Sequence, residues 1–209
     1  MRVLRPSLVL AAALAVGLAG AASAKSGPNI LTFSDPAGDN VSPSSASDIT
    51  GVTWTSTMKN KAHGNGVGRG KYTPTALVVT LTLAAPPATD STVYAVDANL
   101  PGCGDFLLTY QPGATLESFN YADCGGDPSD PTTQGSSTFD AAPDVVGSSI
   151  VWTLPFNSLP GGVKPGTTFT DLNAYTDFTD PALGLVSPSL IAGTPIYDTA
   201  KTDKTFVVG

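Results

Sequence analysis

The sequence predicts an all-β fold: a two-sheet antiparallel β-sandwich, jelly-roll or immunoglobulin-like, with about ten strands. Three observations predict it. β-rich runs alternate with clusters of Gly, Pro, Asp and Ser, and no long window keeps a helical 3.6-residue period. Of the 17 acidic residues all but Glu117 are Asp. Asp bonds to its own backbone and suits turns and caps, whereas Glu suits helix interiors, so the bias itself points to looped β structure.

The expected strands cover residues 30–34, 49–58, 76–84, 92–98, 105–110, 115–122, 138–146, 149–156, 167–176 and 204–208. Successive side chains on a strand point to opposite faces, so parity assigns the core. Leu77, Val79, Leu81 and Leu83 share one face against Val78, Thr80 and Thr82. Ile150, Trp152 and Leu154 form a similar row, and Val52 is in phase with Trp54, so both tryptophans read as core. Residues 156–162 (FNSLPGG) suit a short helical turn, and 125–137 (GGDPSDPTTQGSS) a surface loop within one domain. Asp-Pro steps at Asp35, Asp127, Asp130 and Asp180 mark turns, because proline biases the residue before it away from helix.

The N-terminal segment has the layout of a secretory signal peptide. Arg2 and Arg5 precede an apolar core of 15 residues, Leu8 to Ala22, and Ala22-Ser23-Ala24 supplies a small-residue cleavage site. A membrane span needs about 20 apolar residues, so cleavage after Ala24 is expected, leaving one domain over residues 25–209. The expected location is extracellular. Loss of Arg2 and Arg5 leaves eight basic residues against 17 acids, a formal charge of −9. That surface repels phosphate backbones and anionic lipid, so neither a nucleic-acid partner nor electrostatic membrane binding is expected, and with no second transmembrane candidate in the sequence no membrane span is expected after cleavage.

Cys103 and Cys124 are the two cysteines, and in an oxidising compartment an even count reads as a bridge. The strands 105–110 and 115–122 around the turn Gln111-Pro112-Gly113 form a hairpin whose open end brings the two together. Closing such a loop stabilises by about 3 kcal/mol in the chain-entropy treatment. Zinc would need more ligands than these cysteines and the lone His63 offer. Tyr110 and Tyr121 on the same hairpin are candidate ligand-stacking residues wherever parity turns them to solvent, the competing reading being core packing.

Asp35, Asp39 and Asp48 are the candidate metal ligands. Calcium takes roughly six to eight oxygens, and an Asp-rich loop with Asn40 and backbone carbonyls nearby can supply several. The spacing is not that of an EF-hand, and the competing reading is turn chemistry alone. The stretch His63 to Lys71 (HGNGVGRGK) is no phosphate loop, since Asn65 and Tyr72 stand where a Walker loop needs Gly and Ser or Thr. No Gly-x-Ser-x-Gly elbow is present, and a catalytic triad would have to use His63 in a glycine-rich loop. No catalytic residue is assigned, and paired carboxylates leave a small hydrolase as one alternative.

The opening Asp35-Pro36-Ala37-Gly38-Asp39, then Ser47-Asp48-Ile49, then the run ALVVTLTLA resembles the start of secreted bacterial DOMON-like and family 9 carbohydrate-binding-module domains. It is also similar to the C-terminal module of glucodextranase-type enzymes, and IVWTLP at 150–155 is similar to their late core hairpin. The resemblance implies a sandwich fold and roles in carbohydrate binding, haem or redox-partner binding, or calcium-stabilised attachment to hydrolases. Haem does not fit, because only His63, Met1 and Met58 offer axial ligands and Met1 leaves with the signal. The functional expectation is a secreted, non-catalytic binding module for a carbohydrate or cell-envelope ligand, requiring no cofactor beyond an optional calcium ion. A structural or protein-interaction protein of the envelope is the main alternative.

Overall fold

The computed structural model describes residues 29–42, 44–61, 71–89, 92–114, 116–124, 136–178 and 196–209. The signal-like segment 1–24, the glycine-rich stretch 63–70 and the Asp-Pro steps at Asp127, Asp130 and Asp180 lie outside these residues. The described strands are β1 (Ile30–Ser34), β2 (Ile49–Lys61), β3 (Lys71–Leu83), β4 (Thr92–Leu100), β5 (Gly104–Tyr110), β6 (Tyr121–Asp123), β7 (Ser136–Thr138), β8 (Asp144–Val146), β9 (Ser149–Pro155), β10 (Thr168–Phe178), β11 (Ile196–Lys201) and β12 (Phe206–Val207). Short 3₁₀ turns occupy Ser45–Ser47 and Pro160–Gly162, the latter inside the stretch expected to turn. Among the described residues no helix is long and apolar enough to cross a membrane.

Two antiparallel sheets pack face to face. The first runs β1-β2-β3-β9-β8 and the second β11-β10-β4-β5-β6-β7, with β12 paired to β10. The alternation in β3 and β9 does what parity predicts. Leu77, Val79, Leu81, Leu83, Ile150, Trp152 and Leu154 are all buried in the shared interior, together with Val52 and Trp54 from β2. From the second sheet Tyr94, Val96, Phe106, Leu108, Phe169 and Ala174 meet them. Trp54 lies 5.3 Å from the Phe169 ring, 6.0 Å from Phe206 and 6.3 Å from Phe106, in tilted arrangements that suit aromatic quadrupoles. Outward positions of the first sheet are threonines. Thr32, Thr53 and Thr80 stand in one cross-strand row, and the Thr32 and Thr53 hydroxyls are 3.1 Å apart.

Two strand boundaries need correction. The single strand expected over 138–146 is two: β7 pairs with β6 in the second sheet and β8 with β9 in the first. β7 ends at Thr138, residues 139–143 carry the chain from one sheet to the other, and Pro143, which has no N–H for a ladder, stands just before β8. The strand expected over 115–122 shrinks to β6. Before it, side chains replace the ladder: Asn120 Oδ1 accepts the Thr109 N–H and Asn120 Nδ2 donates to the Ala141 carbonyl, while the Thr109 hydroxyl donates to the Phe119 carbonyl. β11 was not expected at all.

The cysteine bridge forms as the hairpin predicts. Cys103 and Cys124 flank the paired ends of β5 and β6 and are joined, and no described cysteine is free. Gly161 closes over the bridge with φ +72, and a Cβ there would press into Cys103 Sγ and lie 3.3 Å from Cys124 Sγ. Glycine is therefore required twice, for backbone sign and for space. Gly161→Ala should destabilise by about 2 kcal/mol or more in urea titration, and part of that cost should vanish when both cysteines are replaced by alanine. Trp54→Ala should cost about 3–5 kcal/mol by the same measurement.

Candidate functional site

The acidic segment between β1 and β2 is folded by its own small side chains. Asn40 Nδ2 donates to the carbonyls of Ser42 and Ser44, each at 2.9 Å, and Ser44 Oγ caps the 3₁₀ turn by accepting the Ala46 N–H. Gly38, with φ +86, lets the chain reverse so that its N–H donates to Asp48 Oδ2 at 2.8 Å. Asp48, 4% exposed, thus holds the loop from beneath.

β11 then closes the corner from the second sheet. Asp198 Oδ2 accepts the Ile49 N–H at 2.6 Å, and Asp198 Oδ1 accepts the Thr199 N–H at 2.8 Å. Val41 N–H donates to the Tyr197 carbonyl, and the buried Thr176 hydroxyl donates to the Ser47 carbonyl. One carboxylate oxygen from each of Asp35, Asp39 and Asp198 lies within 4.8 Å of the others. Of the three residues expected as ligands, two join this trio, while Asp48 stands behind it and Asp198 takes the third place.

Electrostatics make the corner costly. The Asp35 carboxyl is pushed up to about 6, first by burial, then by the charges of Asp198 and Asp39, a hydrogen bond to Asp198, and the charge of Asp48. Burial also raises Asp198, against the opposing pull of the Ile49 and Thr199 N–H groups, and the Asp39 and Asp48 charges add to the rise. Asp35 Oδ2 and Asp48 Oδ1 are buried without a hydrogen-bond partner. Two orphaned carboxylate oxygens beside four like charges match what a cation would satisfy, because unpaired buried acceptors are expensive.

The two tyrosines separate. Tyr110 turns inward and packs against the main core, its ring 6.5 Å from that of Tyr94, and burial followed by the charge of Glu117 raises its hydroxyl. Tyr121 turns outward on the second sheet. There it packs on a small cluster of Ala95, Leu107 and Tyr175, with the Phe119 ring 6.0 Å away. The register sets Asn173, Asp97, Leu107 and Tyr121 side by side across β10, β4, β5 and β6. Burial and then the charge of Asp105 push the Asp97 carboxyl up to about 6, against the lowering effect of hydrogen bonds from Asn173 and its own backbone. Asp97 and Asn173 on this face went unnoticed in the sequence, although their outward parity in β4 and β10 was readable.

No family model, curated protein or solved structure matches the chain. The function therefore rests on the chemistry of these two places.

Asp35 holds its proton more tightly folded than unfolded, so between 3.8 and about 6 the native state carries the extra proton. Stability contributed through Asp35 falls as pH rises across that window, and the whole penalty stands above it. In chelator-treated protein the urea midpoint should drop from the acid to the neutral end of this range. Asp35→Asn should flatten part of that slope, the remainder belonging to Asp198 and Asp97.

Proposed function

We propose that the chain is an exported, non-catalytic β-sandwich module that binds a carbohydrate or related envelope ligand on the outer face of its second sheet. The row Asn173, Asp97, Leu107 and Tyr121 carries this reading: an aromatic ring and hydrogen-bonding groups fixed at strand spacing on paired backbone. A sugar presents one apolar face and a rim of hydroxyls, and such a row offers a partner to each. The bridge supports export, because disulfides persist in oxidising compartments, and it leaves neither cysteine as a nucleophile. Purified mature protein should be retained on at least one insoluble polysaccharide of a broad panel, and Tyr121→Ala should weaken retention. Silence across the panel by correctly folded protein would sink the reading.

The acidic corner favours a second, compatible reading, in which Asp35, Asp39 and Asp198 hold a divalent cation of the calcium class. Hard oxygen donors suit calcium, with backbone carbonyls and water completing the shell. The cation would brace the fold, since its ligands come from both sheets, rather than perform chemistry. A ligand present at about a hundred times its dissociation constant stabilises by about 2.7 kcal/mol. Calcium in excess should therefore raise the thermal midpoint over chelator by roughly 5–10 °C. Asp198→Asn should abolish the difference. Identical midpoints with and without calcium in the unaltered protein would remove the cation.

A further inference from the structure

The outer face of the second sheet has more acceptors than donors. Asp97 Oδ1 and Asn173 Oδ1, neighbours in register, are both buried without a hydrogen-bond partner. The charges that act on Asp97 and Tyr175 have one sign. Asp105 acts on Asp97, and Asp97, Asp177 and Asp105 all act on Tyr175 together with the Tyr121 hydroxyl. Asp105 itself is exposed and stands diagonal to Asp97 on the same face, two residues along β5 from Leu107, the register partner of Asp97. The base in line with the row is Lys201, beyond Asn173 on β11.

Beyond Asn173 the row opens into a cleft of about 550 Å³ lined by Asp171, Asn173, Lys201 and Asp203 among others, a volume in the range of small-ligand sites. A bulge in β10 forms its wall. The pairing with β4 slips between Thr170 and Asn173, and Asp171 adopts a left-handed φ of 51°. Bulges re-aim side chains in this way, here beside a cleft.

A neutral sugar would supply hydroxyl donors to such a face but would leave its charge unanswered. An ammonium group supplies up to three N–H donors and a positive charge, and it is attracted to the faces of tyrosine rings as well. We propose that the ligand is an amine-bearing glycan of the glucosamine type, its ring against Tyr121, its ammonium between Asp97 and Asp105, and its next unit directed past Asn173 towards the Lys201 cleft. This rests on the carbohydrate reading above and narrows it to a cationic sugar. The next unit carries an ammonium of its own, and Asp171 and Asp203, which line the cleft together with Lys201, supply carboxylates to meet it.

The test uses the intact, isotopically labelled mature protein at neutral pH and low salt. It is titrated in parallel with a glucosamine hexamer, its N-acetylated form, a neutral glucose hexamer and oligolysine. The glucosamine hexamer should bind about tenfold or more tighter than either uncharged sugar, shifting the amides of Asp97, Asn173 and Tyr121. Asp97→Asn and Asp105→Asn should each weaken it several-fold, and the exposed Asp105 keeps the test available if the Asp97 variant misfolds. Equal binding of the N-acetylated sugar would overturn the cationic assignment while leaving the carbohydrate reading intact. Oligolysine binding as tightly at the same amides would overturn both in favour of a basic peptide. No binding by any sugar would overturn both outright.

Discussion

Everything in this fold depends on one constraint, that alternate side chains of two sheets must share a single dry interior. Trp54 and Trp152 stand at its centre, fully buried, and each leaves its indole N–H without a partner. The apolar burial of such rings outweighs that loss, since a buried aromatic contributes a few kcal/mol and an orphan donor costs about 1–3. Because the inward positions are taken by Leu, Val, Ile, Phe and Trp, polar chemistry is confined to the outward faces and to the rims where the sheets meet. Asp198 is instructive. It shares the inward phase of β11 with the buried Ala200, yet it lies where the interior ends, and backbone N–H groups of Ile49 and Thr199 reach it there.

The acidic corner is the place where this protein departs from good packing practice. Four carboxylates from the β1–β2 connection and β11 are gathered there, burial opposes the charge of Asp35 and Asp198, and the described hydrogen bonds leave two oxygens unmet. A corner selected for stability alone would replace one of them by Asn or Ser and keep the same loop. Charge kept at such a cost is what motivates the cation reading proposed above. The outer face of the second sheet repeats the pattern at Asp97, where burial also pushes the carboxyl up to about 6.

How much of this could be read in the sequence follows from how local each feature is. β3 and β9 were legible because their alternation is complete within seven or eight residues and needs no partner to interpret it. The bridge was legible because its hairpin is local. The break after Thr138 was missed because nothing in the sequence says that the residues before and after 139–143 join different sheets. β6 was overextended because Asn120 and Thr109 take over the backbone bonds by contacts across the hairpin and to Ala141. Asp198 was invisible for a plainer reason: 149 residues separate it from Ile49, whose N–H it accepts, and IYDTAK carries too few apolar residues to announce a strand. Asp35 and Asp39 could be picked out because they lie within one turn of chain.

The two places are mechanically one. β10 and β11 are paired from Asn173↔Lys201 through Tyr175↔Thr199 to Thr176↔Asp198, so the strand that gives the corner its Asp198 also gives the cleft its Lys201, three residues on. The Thr176 hydroxyl ties the same stretch of β10 to the 3₁₀ turn of the first sheet through the Ser47 carbonyl. Among the described residues β11 stands at the end of its sheet, laddered to β10 and tied to the acidic segment through the Val41 and Ile49 N–H groups. Asp198 and Lys201 thus lie on one six-residue strand, and Lys201 is the register partner of Asn173. On the two readings proposed above, a cation at the corner would act as preorganisation at the face, because the entropy of ordering β11 would be met on folding rather than on ligand binding.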